Sequence, residues 1–332
     1  MTRFVISVFV VILRLGFAQA EPIGLVLAGG GAKGAYEVGV WQAMSESGCA
    51  KDVVAISGTS VGALNAALFA TVKDPKKCET AWLKSIGAAF TPNTNKVHDV
   101  LQKTIDDYDS LLAEKTVNKS EVSTADFLGA AMALVMTAIA RTGNGVATAT
   151  GGSTNAIGVC DSRMLRKVLN EILPDCTFPS HPAVYATAVN KRKSAQKVFP
   201  LSGLDRQSVV ERLMASSALP LVFDSIEIDG EPYVDGGYEL IGGDNVPISP
   251  IARNHPEVKT VVVVYLKEEA KVRRKIKAGD FPSLRIVEIF PSQDMGAFSS
   301  LFDTSAKKSQ ALIGLGRKDA RRSLETFRAM NR

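Results

Sequence analysis

Ile23 to Ala28 is an unbroken apolar run that ends in glycines, the pattern of a short buried strand. A helical pattern follows from Ala35 to about Ser47. Val53 to Ser57 is a second strand-like run, and Val61 to Ala70 is an Ala- and Leu-rich stretch with Leu64 and Leu68 four apart, as a buried helix requires. Further along, Ala183 to Val189, Lys259 to Leu266 and Leu284 to Phe290 read as strands, and Ile226 to Tyr233 reads as strand–turn–strand. Strands alternating with helices predict an α/β fold whose central, mostly parallel sheet is covered by helices.

Two regions depart from this rhythm. Lys103 to Asn155 opens polar and acidic, then carries an almost wholly apolar stretch from Phe127 to Ala140, with Thr124 or Asp126 as a cap, and ends in a Gly-, Thr- and Ala-rich loop. It is expected to be a helical insertion. Its apolar helix is too short to span a bilayer and serves either as a core helix or as a lid or lipid-facing element. The chain start is the other departure. A short basic beginning at Thr2-Arg3, an apolar run from Phe4 to Leu13 and the small-x-small sequence Ala18-Gln19-Ala20 form a secretory signal peptide pattern cut after Ala20. Arg14 leaves an uncleaved anchor as the other reading. A secreted or periplasmic location follows from the first. Export would allow Cys49, Cys78, Cys160 and Cys176 to pair, and four buried thiols are the equal alternative. Asn118-Lys119-Ser120 is a glycosylation sequon if the source is eukaryotic.

Composition adds limits. Removing the leader from 332 residues leaves 312, enough for a large core, which argues against disorder or a small disulfide scaffold. The three histidines and four cysteines show no metal-ligand spacing, so neither a zinc site nor a cofactor is expected. The net charge of +5 is uneven: from Lys267 onward there are 15 Lys or Arg against 8 Asp or Glu, giving +7 there and −2 elsewhere. That basic end either forms a solvated helix face or favours an anionic surface such as phospholipid headgroups. Nucleic acid is not an expected partner, and protein partners are not legible.

Three local features carry chemistry. Gly29-Gly30-Gly31-Ala32-Lys33-Gly34 lies directly after a strand and before a helix. Its glycines uncover backbone N–H groups and a helix start adds a positive dipole end, which suits a phosphate or a developing oxyanion. The dinucleotide-binding reading wants an acidic residue at the end of the next strand, whereas Asp52 precedes it; a Walker A reading needs Gly-Lys-Ser or Gly-Lys-Thr, whereas Lys33 is followed by Gly34 and Ala35. Gly58-Thr59-Ser60-Val61-Gly62 sits between a strand and a helix, the setting of a nucleophile elbow that lifts the Ser60 hydroxyl above the sheet. Serine needs a base. His98, His181 and His255 stand in loop or turn settings, while Asp235 follows an apolar stretch and is flanked by Gly236 and Gly237. Partial burial would raise the basicity of this carboxylate.

In this order, these residues resemble the patatin-like phospholipase family. The resemblance runs from Ile23 to about Pro247. It includes the glycine-rich loop Gly29 to Gly34, with Lys33 where the family has Arg or Lys, the elbow Gly58 to Gly62, and Asp235-Gly236-Gly237. Ala215 to Pro220 and Asn245-Val246-Pro247 resemble the segments on either side of the aspartate strand. The resemblance implies a patatin-like fold and a metal-free acyl hydrolase of phospholipids or related lipids. In it Ser60 is the nucleophile, Asp235 the base and the Gly29–Gly34 backbone the oxyanion hole. It also implies a peripheral membrane surface as partner. The chain then divides into a leader at 1–20, a patatin-like domain at 23–250 with the insertion at about 103–155, and a C-terminal part of the same fold at 251–332 ending in the basic tail. The insertion and the longer link from Glu239 to Asp244 depart from the family and leave the lipid preference open. Two other readings compete: a silent patatin-fold protein that docks on membranes, and a Ser-His-Asp esterase using His255.

Overall fold

The computed structural model describes residues 21–86 and 162–330, apart from 221, 239–240, 273–275, 277–278 and 297–302. The leader, the 103–155 insertion with the helix expected at Phe127–Ala140, the sequon, His98, Cys160 and Glu239 lie outside the described residues.

The chain begins with β1 (Ile23–Leu27), α1 (Ala35–Glu46), β2 (Val53–Thr59), α2 (Val61–Val72) and α3 (Pro75–Ala81). After the gap come α4 (Ser162–Ile172), β3 (Ala183–Asn190), β4 (Ala195–Pro200), α5 (Arg206–Ser216), β5 (Ile226–Ile228) and β6 (Glu231–Asp235). The chain ends with α6 (Ser249–Asn254), β7 (Thr260–Val264), β8 (Arg285–Ile289) and α7 (Ala306–Met330). Among the described residues the sheet has eight strands, linked in the order β5-β6-β3-β2-β1-β7-β8 with β4 also on β3. Strands β8, β7, β1, β2 and β3 run parallel; β4 and β6 each pair antiparallel with β3, and β5 pairs antiparallel with β6.

The apolar runs at β1 and β7 are strands buried at every position, covered on both faces, which is why they are continuous rather than alternating. In β1, Leu25 and Leu27 join the larger core, with α1 and α2, while Val26 joins a second cluster under Ile248 and Ile251. In β7, Val262 and Val264 face the first cluster, and Val261 and Val263 the second. Two N-caps mark helix starts that the apolar pattern alone misses. Asp74 accepts from the N–H groups of Lys76 and Lys77 at α3, and Asp205 from that of Ser208 at α5; each such cap contributes about 1 kcal/mol.

The last part of the basic end is a long helix, α7, with Leu312, Ile313, Ala320 and Leu324 buried at helical spacing and Lys307, Arg317, Lys318, Arg321 and Arg322 on the exposed side. It packs along α1, where the backbones approach closely at Gly39 and Gly316. Arg317 and Arg321 pair with Glu46 of α1; these pairs are exposed and add little. No disulfide joins Cys49, Cys78 and Cys176 to one another, and burial pushes the Cys78 thiol up to about 12. Among the described residues, no helix is long and apolar enough to cross a membrane.

Candidate active site

The register of β3 explains how two distant residues meet. Its first half pairs with β2 as far as Thr187 opposite Thr59. From Tyr185 to Asn190 it pairs with β4 on the other side. The next residue, Ala188, lies opposite Asp235 of β6, and because β4 occupies one edge, β6 takes the edge that β2 has just left. Asp235 therefore stands in the register position that residue 60 would hold had β2 continued. The chain instead turns off at Ser60, the N-cap of α2, with φ 55° and ψ −128°. That left-handed φ is strained for a serine and holds its side chain at the strand-to-helix turn.

The tightness of this turn sets its neighbours. A Cβ on Gly62 would lie 2.3 Å from the Leu27 carbonyl oxygen, and one on Gly236 would lie 2.0 Å from that of Thr187. Neither position has room for a side chain. Thus the glycines after the serine and after the aspartate let α2 press against the end of β1 and let the turn after β6 press against β3.

Ser60 and Asp235 are both buried, at 9% and 4% exposure. Burial pushes the Asp235 carboxyl up to about 6, opposed by the neighbouring Ser60 side chain and by the Gly237 N–H, which donates to Asp235 Oδ1 at 2.7 Å. The aspartate is thus ionised at neutral pH yet more basic than an exposed carboxylate. The start of α2 beside Ser60 contributes a positive dipole end.

Two residues hold this arrangement that the sequence does not single out. Ser216 Oγ accepts from the Ser60 N–H at 2.9 Å and donates to the Thr187 carbonyl at 2.6 Å, so it ties the elbow to β3. The Gly236 N–H in turn reaches the Ser216 carbonyl. Asn245 accepts from the Gly29 N–H at 3.1 Å and donates to the Gly29 carbonyl at 3.3 Å. Thr59 Oγ1 donates to the Asp244 carbonyl and Ser57 Oγ to that of Pro247. Both residues fall in segments that carried the family resemblance, Ala215–Pro220 and Asn245–Pro247, but their roles depend on contacts far away in sequence.

The glycine-rich segment follows β1 at the same edge of the sheet. Gly31 to Gly34 form a single 3-10 turn that leads into α1. The Gly29 N–H is engaged by Asn245 and the Lys33 N–H by the Gly30 carbonyl. The Lys33 ammonium donates to the Gly296 carbonyl at 2.7 Å, and burial lowers its pKa.

Of the histidines, His255 bonds to Tyr185 Oη at 3.0 Å and to Glu257 at 2.9 Å, which occupies both ring nitrogens. His181 precedes β3, at the opposite end of that strand from Ala188. Neither is engaged with Ser60. Among the described residues, no cluster of three or more His, Cys, Asp or Glu side chains is placed to hold a metal ion.

The family model of patatin-like phospholipases matches residues 25–252. A patatin-like phospholipase domain-containing protein of Caenorhabditis elegans is 50% identical over 71 residues, 20% of this chain and 5% of that protein. A lysophospholipase of Aspergillus terreus is 52% identical over 52 residues, 16% of this chain and 3% of that protein. The matched segments are thus a small part of these relatives. Among solved structures, VipD from Legionella pneumophila is similar over 92% of this chain and 67% of its own, with 17% identity and a TM-score of 0.44. Human GIVD cytosolic phospholipase A2 is similar over 93% and 58%, with 10% identity and a TM-score of 0.46. The chain belongs to the patatin-like phospholipase family, whose members hydrolyse lipid esters.

Proposed function

We propose that the protein is an exported lipid acyl hydrolase of the phospholipase A or lysophospholipase type, with Ser60 as nucleophile and Asp235 as its base. The observation that carries this reading is the register of β3, which sets the buried Asp235 carboxyl beside the strand-to-helix turn at Ser60. Asp235 takes the Ser60 proton as the oxygen attacks the ester carbonyl. The tetrahedral oxyanion is held by backbone N–H groups of the glycine-rich loop. Gly29 and Lys33 already donate within the protein, so the donors fall to Gly30, Gly31 and Ala32 between them. One such donor contributes about 2.7–4 kcal/mol to lowering the barrier. Collapse of the intermediate releases the lysolipid alcohol, which takes the proton back from Asp235. A water that gives its proton to Asp235 then attacks the acyl-serine, and Ser60 recovers its proton as the fatty acid leaves.

The substrate lies at a membrane surface, and the exposed cationic side of α7 favours an anionic one. Export rests on the leader at residues 1–20 and the small-x-small site ending at Ala20.

The test is acyl release from mixed phospholipid vesicles by the mature protein, with chelator present, beside Ser60→Ala. Release by the wild type and none by the variant is the expected result. Equal release by both would eliminate Ser60 as nucleophile. A folded wild type that neither releases acyl chains nor reacts with a fluorophosphonate would favour a silent membrane-binding protein.

A further inference from the structure

The core under the glycine-rich loop contains a polar pair that the dyad does not use. Asn65 lies in α2, five residues beyond Ser60, and Glu37 lies in the first turn of α1. Both are fully buried. The Asn65 side-chain amide donates to the Gly34 carbonyl at 3.0 Å and to Glu37 Oε2 at 2.7 Å. Gly34 closes the loop and abuts the start of α2; a Cβ there would lie 2.5 Å from Val61 Cγ2. One amide group therefore joins three pieces of chain: the helix that carries the nucleophile, the end of the oxyanion loop, and the helix that the loop leads into.

Stability alone does not account for this pair. Leu64, Ala66, Ala67 and Leu68 surround Asn65 in sequence and all are buried, so a shape-matched leucine would suit the site without desolvating a carboxyl and an amide. Moreover, Glu37 Oε1 and Asn65 Oδ1 have no hydrogen-bond partner, a state that buried polar atoms rarely adopt. Burial holds the Glu37 carboxyl well above the usual carboxylate range. What it supplies is direction: two hydrogen bonds that fix the loop end relative to α2.

We propose that Asn65 and Glu37 are positioning residues for the oxyanion loop, setting the distance between the loop amides and the Ser60 hydroxyl through the Gly34 carbonyl. The inference rests on the reading of Ser60 as nucleophile and of the loop as oxyanion hole. Donors of this kind act only within a few tenths of an ångström of their target, and a displacement of about 1 Å is worth on the order of 100-fold in rate.

The experiment is the rate of Ser60 labelling by a fluorophosphonate probe and the kcat and KM for phospholipid vesicles, in wild type, Asn65→Leu, Glu37→Leu and Glu37→Gln. Thermal unfolding is recorded for each. Asn65→Leu and Glu37→Leu are expected to label about 10- to 100-fold more slowly, with kcat reduced and KM unchanged. Glu37→Gln keeps the acceptor oxygen and is expected to label at close to the wild-type rate. Leu169→Ala, a core truncation in α4, is the control for lost stability and should not slow labelling. Asn65→Ala replaces Asn65→Leu if the latter does not fold. Wild-type labelling rates in folded Asn65→Leu or Asn65→Ala would overturn the proposal, as would a Glu37→Gln as slow as Glu37→Leu. A wild type that does not label, or labels elsewhere than Ser60, would instead refute the nucleophile assignment, and that is seen before any variant is compared.

Discussion

Replacing Asp235 by Asn should abolish turnover and, above about pH 6, make the protein more stable. In the folded chain burial pushes the Asp235 carboxyl up to about 6, against 3.8 for an ordinary aspartate. The folded state therefore binds this proton more tightly than the unfolded chain does. Below the unfolded value both states are protonated and no penalty exists. As pH rises from about 4 to 6 the unfolded chain loses its proton first, and stability falls; above about 6 the full penalty remains. A separation of about two pH units, at about 1.4 kcal/mol each, gives on the order of 3 kcal/mol. Asparagine has nearly the same shape, can accept from the Gly237 N–H, and carries no charge to desolvate. Glu37 also has a raised pKa, but it is common to both proteins and cancels in their difference. Urea unfolding followed by circular dichroism at pH 4 and pH 8 is the assay. The advantage of Asp235→Asn over wild type should grow by roughly 2–3 kcal/mol between those pH values. An advantage that stays constant, or wild type gaining on the variant as pH rises, would refute the claim that burial destabilises this carboxylate.

With Asp235 as the proposed base, the same raised value predicts an acidic limb of kcat/KM near pH 6; a limb near pH 4 would count against a buried base. Ser60→Gly should be more stable than Ser60→Ala by about 1–2 kcal/mol, since both remove the hydroxyl but only glycine relieves the left-handed φ of 55°; equal unfolding midpoints would show an unstrained elbow. Ser216→Ala should cost about 1–3 kcal/mol, through the stranded Ser60 N–H and Thr187 carbonyl, and should lower kcat more than it raises KM; stability loss with unchanged kcat would make Ser216 merely structural.

The sequence by itself determined the parallel strands, because a strand buried on both faces must be continuously apolar, and β1 and β7 are. It also located the elbow, the glycine-rich loop and Asp235-Gly236-Gly237, because a turn without room for a Cβ can carry only glycine. It did not reveal β4, whose Ala195–Pro200 stretch is largely exposed and has no clear alternation, nor that the helix whose solvated face was one reading of the basic end packs along α1. The meeting of Ser60 and Asp235 was decided by tertiary structure alone. It depends on β6 taking the edge of β3 that β2 vacates after Thr59, a register relation across 175 residues of chain, the difference between 235 and 60. The supports of the site are non-local for the same reason. Ser216 reaches back 156 residues to Ser60, and Asn245 reaches 216 to Gly29. A local pattern records what each segment needs from its immediate backbone and from burial. It carries no record of which distant hydrogen-bonding group will satisfy it, because that choice is made only when the sheet closes.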